Sequence, residues 1–315
     1  RDHREHQQGY PKTTYVVVDR AGFIGSNFVN KLVEENHEVL VVDNFSTGKE
    51  ENINAKSKVF RLDISDPTNS KDLVSLMTGA ASVFLFAAKA RVQPSIENPM
   101  EYEQNNTIGT LNVLKSANDA KVRRLVYSAS SSAYGDSKIL PLKESFPINP
   151  LSPYGAQKYY GEVLSRMFAQ VYDIETVSLR YFNVYGERQN VAGAYALVMG
   201  IFAHQRLNGQ PMTIRGDGEQ KRDFTYVGDV VNANILASQS KNVGKGEVIN
   251  IGNGDNRSIN QIAEMIGGER VYVDPVVEPA ETLADNSLAK ELLGWEPTQK
   301  IEDWVPAYKK EIGLE

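Results

Sequence analysis

Residues 15–27 read Tyr15-Val16-Val17-Val18-Asp19-Arg20-Ala21-Gly22-Phe23-Ile24-Gly25-Ser26-Asn27. The short apolar run at its head is the mark of a strand buried on both faces. It feeds a glycine-containing turn and then a helical pattern from Phe23 to Glu35. In a dinucleotide-binding unit, glycines at such a turn let backbone approach a pyrophosphate and let the helix close on the strand. The helix N-terminus then offers N–H groups and a positive dipole end to the phosphates. Gly22 and Gly25, with Phe23 and Ile24 between them, hold that spacing, and Asp43 closes a second strand eighteen residues after Gly25. A carboxylate there accepts ribose hydroxyls and repels a 2′-phosphate, which favours NAD over NADP. Asp19 departs from the pattern, because it stands where the first glycine belongs. The turn asks it for a tight conformation that Asp enters more readily than most residues. It also sets a negative charge near a diphosphate, with Arg20 beside it. Either the turn tolerates Asp19 or cofactor affinity is weakened or lost.

Working outward, further buried strands are expected at Val39–Val42, Val83–Phe86, Leu125–Tyr127 and Thr176–Leu179. Helical segments fall near 69–78 and 97–118, with Pro99 suited to a first turn, and another helix follows Pro153. Strand–helix alternation of this kind implies an α/β fold, a doubly wound parallel sheet with helices on both faces. After residue 184 the elements shorten: helices near 195–207, 229–239, 259–266, 286–293 and 301–311, and strands at 212–215 and 247–251. The surplus predicts a smaller C-terminal α/β substrate lobe. We expect residues 13–184 plus about 223–255 to form the dinucleotide domain, and 185–222 with 256–315 the lobe, with the ligand cleft between them. Residues 1–12 read as a disordered leader.

Composition narrows the function. With 34 basic and 40 acidic side chains the 315-residue chain carries a net charge of −6, which gives no support to nucleic-acid or membrane-surface binding. There is no cysteine, hence no disulfide, thiolate metal site or cysteine nucleophile. Only His3, His6, His37 and His204 are present, too few and too scattered for a histidine-built metal site, and no metal is expected. No apolar stretch reaches bilayer-spanning length and the N-terminus lacks a signal-peptide core, so the expected location is cytoplasmic.

The strand at 125–127 runs into Ser128-Ala129-Ser130-Ser131-Ser132-Ala133-Tyr134-Gly135, gathering hydroxyls at its carboxyl end. Further on comes Pro153-Tyr154-Gly155-Ala156-Gln157-Lys158. If Pro153 opens a helix, Tyr154 and Lys158 stand one turn apart on one face. The ammonium is then expected to lower the phenol's pKa, so that Tyr154 serves as general base or acid with Ser130 on the same substrate hydroxyl.

At this point the chain resembles the extended short-chain dehydrogenase/reductase family, with its Rossmann-type sheet. Within it the likeness is to the NAD-dependent nucleotide-sugar epimerases, particularly UDP-sugar 4-epimerases. It is carried, in order, by AGFIGSN (21–27), VVDNFSTGKEENI (41–53), ARVQPSIENP (90–99), NNTIGTLNVL (105–114), SASSSAYG (128–135), NPLSPYGAQK (149–158), LRYFNVYG (179–186), GDGEQKRDFTYV (216–227) and LAKELLGWEP (288–297). The resemblance implies Ser130, Tyr154 and Lys158 as the catalytic set. It implies Gly22, Phe23, Ile24, Gly25, Asp43, Asn44, Asp63, Ile64 and Asn106 as NAD contacts, together with Tyr154 and Lys158. For the UDP-sugar it implies Asn183 and Arg222 at the diphosphate, Arg215 against the uracil, Val198 beside them, and Thr282 gating substituents at the sugar's C2. The family's dehydratases carry Asp and Glu after the catalytic residue, where Ser131 and Ser132 stand here. A second diphosphate Arg is missing from Asp274-Pro275-Val276-Val277-Glu278, and Leu85 replaces a frequent His. The implied activity is 4-epimerisation of a UDP-hexose or UDP-N-acetylhexosamine through a 4-keto sugar. The same family also holds decarboxylases, dehydratases and reductases, and Asp19 would suit a non-catalytic nucleotide-binding member. Relatives pair through two long helices, here those near 97–118 and 153–171, so a homodimer is expected.

Overall fold

In the computed structural model, which describes residues 13–19, 22–44, 54–86, 92–189 and 197–315, the run after Thr13 forms β1 (Thr14–Val18). Val16, Val17 and Val18 have no exposed surface, as a central strand requires. The leader expected at 1–12, and Arg20, lie outside the described residues. Next come α1 (Phe23–Glu34), β2 (Glu38–Asp43), β3 (Lys58–Arg61), α2 (Ser70–Met77) and β4 (Ser82–Leu85). They are followed by α3 (Val92–Glu97), α4 (Pro99–Glu103), a π-helical turn (Gln104–Ile108), α5 (Gly109–Asp119) and β5 (Arg124–Ser130). A 3-10 turn (Ser131–Tyr134), α6 (Pro153–Val171), β6 (Glu175–Tyr181) and β7 (Asn183–Tyr185) complete this part. Beyond it lie α7 (Val198–Leu207), β8 (Met212–Arg215), β9 (Lys221–Arg222), β10 (Phe224–Tyr226), α8 (Val227–Gln239) and β11 (Lys245–Ile251). Last are β12 (Arg257–Ser258), α9 (Ile259–Ile266), β13 (Arg270–Val273), α10 (Ser287–Leu293) and α11 (Ile301–Ile312).

Seven strands form one parallel sheet in the order β11-β6-β5-β4-β1-β2-β3. One face is covered by α1, α8 and α10, through Phe28, Leu32, Val230, Ala237 and Leu293. The other is covered by α2, α5 and α6, through Leu73, Met77, Val113, Leu114, Leu164 and Phe168. Strand order reverses between β1 and β4, so a crevice opens beyond their carboxyl ends, the usual ligand position in such sheets. A separate core of Met199, Phe202, Met212, Ile214, Ile262, Ile266, Ile301 and Val305 joins α7, α9 and α11 to the β8–β13 ribbon. Among the described residues no helix is long and apolar enough to cross a membrane.

The helix expected near 97–118 is present from Pro99 to Asp119: after non-helical Asn98 (φ −130°, ψ 61°), Pro99 opens α4 and the chain widens into the π turn before continuing as α5. The hydroxyls of Thr107 and Thr110 donate to the carbonyls of Glu103 and Asn106 four residues back (2.6 Å each), a pattern that bends helices. Strand β3 had no apolar run to announce it, because Lys58-Val59-Phe60-Arg61 is an edge strand paired only with β2 and mostly exposed.

Helix α6 starts where Pro153 marks its first turn, and the Ser152 hydroxyl caps it by accepting from the Gly155 N–H at 3.0 Å. Its position on the sheet is fixed by a buried ion pair. The Arg180 guanidinium of β6 donates to both Glu162 oxygens at 2.7 and 2.8 Å, while it also lies over the Tyr134 ring. Both partners are almost wholly buried, at 3% and 1% side-chain exposure, so removing one strands the other's charge out of water. Glu162→Ala should therefore lower the unfolding free energy by about 3–5 kcal/mol. Urea denaturation reads this directly, and a loss under about 1 kcal/mol would show that the pair is solvated rather than buried.

Candidate active site

The first turn of α1 faces the crevice. Gly22 is extended at its N-cap (φ −79°, ψ 169°) and no side chain caps it, so the helix's first N–H groups are presented as a dinucleotide phosphate requires. Asp43 ends β2 with 1% exposure, and Asn44 follows it, partly buried. Phe23 and Ile24 pack partly buried on the core behind the turn. Asp63 lies exposed beyond β3, and one of its carboxylate oxygens accepts from the Ser65 N–H and hydroxyl at 2.9 and 2.7 Å. The Ile64 side chain belongs to the core beside Gly109, and its carbonyl accepts from Asn112 Nδ2 at 2.8 Å.

These residues fit a dinucleotide with one departure, Asp19. Its backbone is not the difficulty that the sequence suggested: among the described residues with positive φ, Asp19 does not appear. Its N–H instead donates to Val42 O at 2.9 Å, which carries the β1–β2 ladder one residue further. The departure lies in the side chain. A methyl group at Gly25 would overlap the Asp19 carboxylate, which fills the space that the glycine leaves bare.

Ser130, Tyr154 and Lys158 converge where β5 ends and α6 begins. Ser130 is the last residue of β5; its hydroxyl accepts from the Ser132 N–H at 3.1 Å and lies 2.7 Å from the Ser132 hydroxyl. Tyr154 and Lys158 occupy successive turns of α6 on one face, with the Tyr154 N–H bonded to Ser95 Oγ at 3.1 Å. Lys158 is 4% exposed, and its ammonium nitrogen stands 4.7 Å from the centre of the Tyr127 ring. The Tyr127 hydroxyl donates to Lys158 O at 3.2 Å, and a methyl group at Gly161 would collide with that hydroxyl.

Electrostatics here depart from the simple expectation. Burial pushes the Tyr154 phenol above its ordinary value, while the Ser130 hydroxyl draws it partly back. Burial lowers Lys158 from 10.5 to about 7, opposed by Glu162 one turn further along α6. In the protein alone the lysine is too desolvated to hold a full charge at neutral pH, so it does not lower the phenol as expected. Asn106, in the π turn, donates to Gln157 Oε1 at 2.9 Å, and Gln157 Nε2 donates to Glu103 at 3.1 Å. The cofactor-side helix is thereby tied to the residue preceding Lys158. Tyr127, Gln157 and Glu162 were missed in the sequence. Their signal was the spacing of Gly161 and Glu162 behind Lys158, which means nothing until the strand under α6 is known.

On the opposite wall, Asn183, Arg222 and Thr282 are brought together through Asp223. The Asn183 N–H donates to Asp223 O at 3.0 Å, and the Asp223 N–H donates to the Thr282 hydroxyl at 3.2 Å. The Asp223 carboxylate accepts from the N–H groups of Asn253, Gly254 and Ala284 at 2.7–3.0 Å. Burial raises it to about 6 although those three donors hold it down. Arg222 is 9% exposed and pairs with Glu278 at 3.3 Å, inside the segment that lacks the second arginine. Arg215 is exposed at the end of β8, its carbonyl held by Gln220 Nε2 at 2.9 Å. Val198 opens α7, partly buried on the separate core. The positions of Val198 and Arg215 are set by the separate core and by the turn to β9. The wall is joined to the catalytic turn by Leu142, whose N–H donates to Leu283 O at 2.7 Å and whose carbonyl accepts from Asp285.

The model of the NAD dependent epimerase/dehydratase family matches residues 16–252. A UDP-glucose 4-epimerase of Mycolicibacterium smegmatis is 34% identical over 305 residues, which is 92% of this chain and 95% of that protein. The crystal structure of Thermotoga maritima UDP-glucose 4-epimerase with UDP-glucose superposes with a TM-score of 0.89 at 38% identity, covering 96% of this chain and 100% of that one. The UDP-N-acetylglucosamine 4-epimerase of Methanobrevibacter ruminantium, in complex with UDP-N-acetylmuramic acid, gives 0.89 at 34% identity, with 97% and 100% covered.

The depressed Lys158 value has a consequence for stability. Between pH 7 and 10.5 the unfolded chain keeps the Lys158 proton that the folded chain has released. Stability contributed by this site must therefore rise with pH across that window. Lys158→Met should lack the rise, read as melting temperature against pH for the two proteins side by side. Parallel curves would mean that the ammonium is not desolvated.

Proposed function

The chain belongs to the NAD-dependent epimerase/dehydratase family, and we propose that it interconverts the C4 epimers of a UDP-hexose or UDP-N-acetylhexosamine through a transient 4-keto sugar. One observation carries the reading: Tyr154 and Lys158 stand on successive turns of one helix beside Ser130, opposite a wall bearing Asn183 and Arg222. NAD, held by the α1 N-terminus and Asp43, supplies reversible hydride acceptance when bound. The Tyr154 oxygen takes the proton of the C4 hydroxyl and returns it after the sugar has turned over. Ser130 orients that hydroxyl, and Lys158, gaining charge as Tyr154 loses its proton, stabilises the phenolate. Asn183 and Arg222 hold the diphosphate about which the keto sugar swings, Arg222 exchanging its bond to Glu278 for one to phosphate. Arg215 and Val198 flank the uracil, and Thr282 lines the approach to C2. Ser131 and Ser132 offer no carboxylate for water elimination, which separates this reading from a dehydratase.

On the same reading the enzyme acts in the cytoplasm as a homodimer. Support for pairing comes from Ile108 and Leu111, beside Tyr160 and Val163, four apolar side chains left 39–47% exposed on the two helical segments that relatives use. A second copy would bury them by a two-fold contact.

Purified protein given saturating NAD should convert UDP-glucose or UDP-N-acetylglucosamine to its C4 epimer, with the hexose intact and no net NADH, as read by NMR. Tyr154→Phe should slow turnover by about 100-fold or more. A decarboxylated or dehydrated product would replace this function with another of the family; no turnover of any sugar nucleotide would remove it. Val163→Lys should shift the mass in light scattering from dimer to monomer, and an unchanged mass would place the contact elsewhere.

A further inference from the structure

The Asp19 side chain fills the gap between the end of β1 and the bare face of Gly25, at the start of α1. It is 7% exposed, just past the end of β1; a methyl group at Gly25 would overlap its carboxylate, and one at Gly22 would stand 3.8 Å from one of its oxygens. These are the two glycines whose bareness lets helix and phosphate approach. Within the first turn of α1 there is no acidic side chain, and Gly22 supplies no cap. Asp19 therefore brings an acid to the positive end of this helix. A neighbouring strand adds Asp43, one residue past the Val18–Val42 register pair. Asp43 is where a ribose needs an acceptor; Asp19 is where a diphosphate needs donors. A carboxylate at that end of the helix competes with the negative charge that a diphosphate brings.

We propose that Asp19 makes NAD an exchangeable cofactor of this protein rather than a permanently held one. The proposal rests on the functional reading above, since it concerns the cofactor that reading requires. Two consequences are separable, one of shape and one of charge. Glycine at position 19 would remove both the bulk against Gly25 and the negative charge, while asparagine would remove the charge alone.

The test is direct binding, independent of turnover. Wild-type protein, Asp19→Gly and Asp19→Asn are desalted, denatured and assayed for released NAD, and then titrated with NAD by calorimetry. Wild type should come through desalting without stoichiometric NAD. Asp19→Gly should bind NAD roughly 10- to 100-fold more tightly, and Asp19→Asn should fall between them. Stoichiometric NAD retained by wild type would overturn the proposal, as would an Asp19→Gly affinity no better than wild type. If Asp19→Gly does not fold, the near-isosteric Asp19→Asn decides alone, and an affinity there no better than wild type overturns the proposal. Failure of the functional reading looks different: weak, exchangeable NAD with no conversion of any sugar nucleotide at saturating NAD leaves this inference standing and removes the epimerase.

Discussion

The constraint on which the site depends is the burial of Lys158. An ammonium placed beneath α6 must be compensated, and the structure supplies compensation without a direct carboxylate partner. The Tyr127 ring lies under the charge, Glu162 raises its proton affinity from one turn away, and Arg180 fixes Glu162. Gly161 is part of the same arrangement, because only a bare backbone admits the Tyr127 hydroxyl. Tyr154 is thus set at the mouth of β5 on a helix that cannot slide without breaking a buried ion pair. This rigidity suits a proton donor and acceptor that must serve both faces of a turning sugar.

Two acids stand beside the groups proposed to meet diphosphates: the Asp19 carboxylate lies where a Gly25 side chain would be, and Glu278 engages Arg222 on the opposite wall. On the proposed reading, each anionic ligand would compete with a resident carboxylate. Proton chemistry is left to groups that neither acid touches. Ser130, Tyr154 and Lys158 form a site without histidine, cysteine or metal ligands, in keeping with a composition poor in the first and lacking the second.

Much of this was legible in the sequence where burial is continuous. The valine runs of β1 and β2 declare central strands because no polar face interrupts them, and Pro153 after Ser152 marks the start of α6 to the residue. The convergence of Ser130, Tyr154 and Lys158 followed from strand-end and helix-start alone. Other features carry no periodic signal. Strand β3 is exposed and four residues long, and the strands around Arg222 run to two or three residues. The π turn at 104–108 coincides with threonine hydroxyls bonding backward, which spacing does not report. For Asp19 the sequence raised both backbone and charge; the backbone takes no positive φ, and what the structure adds is the carboxylate filling the space beside Gly25. Likewise the Tyr154–Lys158 spacing was correct, but burial of the phenol itself raises its pKa where the sequence led us to expect a lowered one.

The central claim, that hydrogen leaves and returns to one carbon of a sugar held between Tyr154 and Arg222, is tested most directly with UDP-glucose deuterated at C4. At saturating NAD the account predicts UDP-galactose that still carries deuterium at C4. Deuterium lost to water, or a product altered at any other carbon, would contradict it.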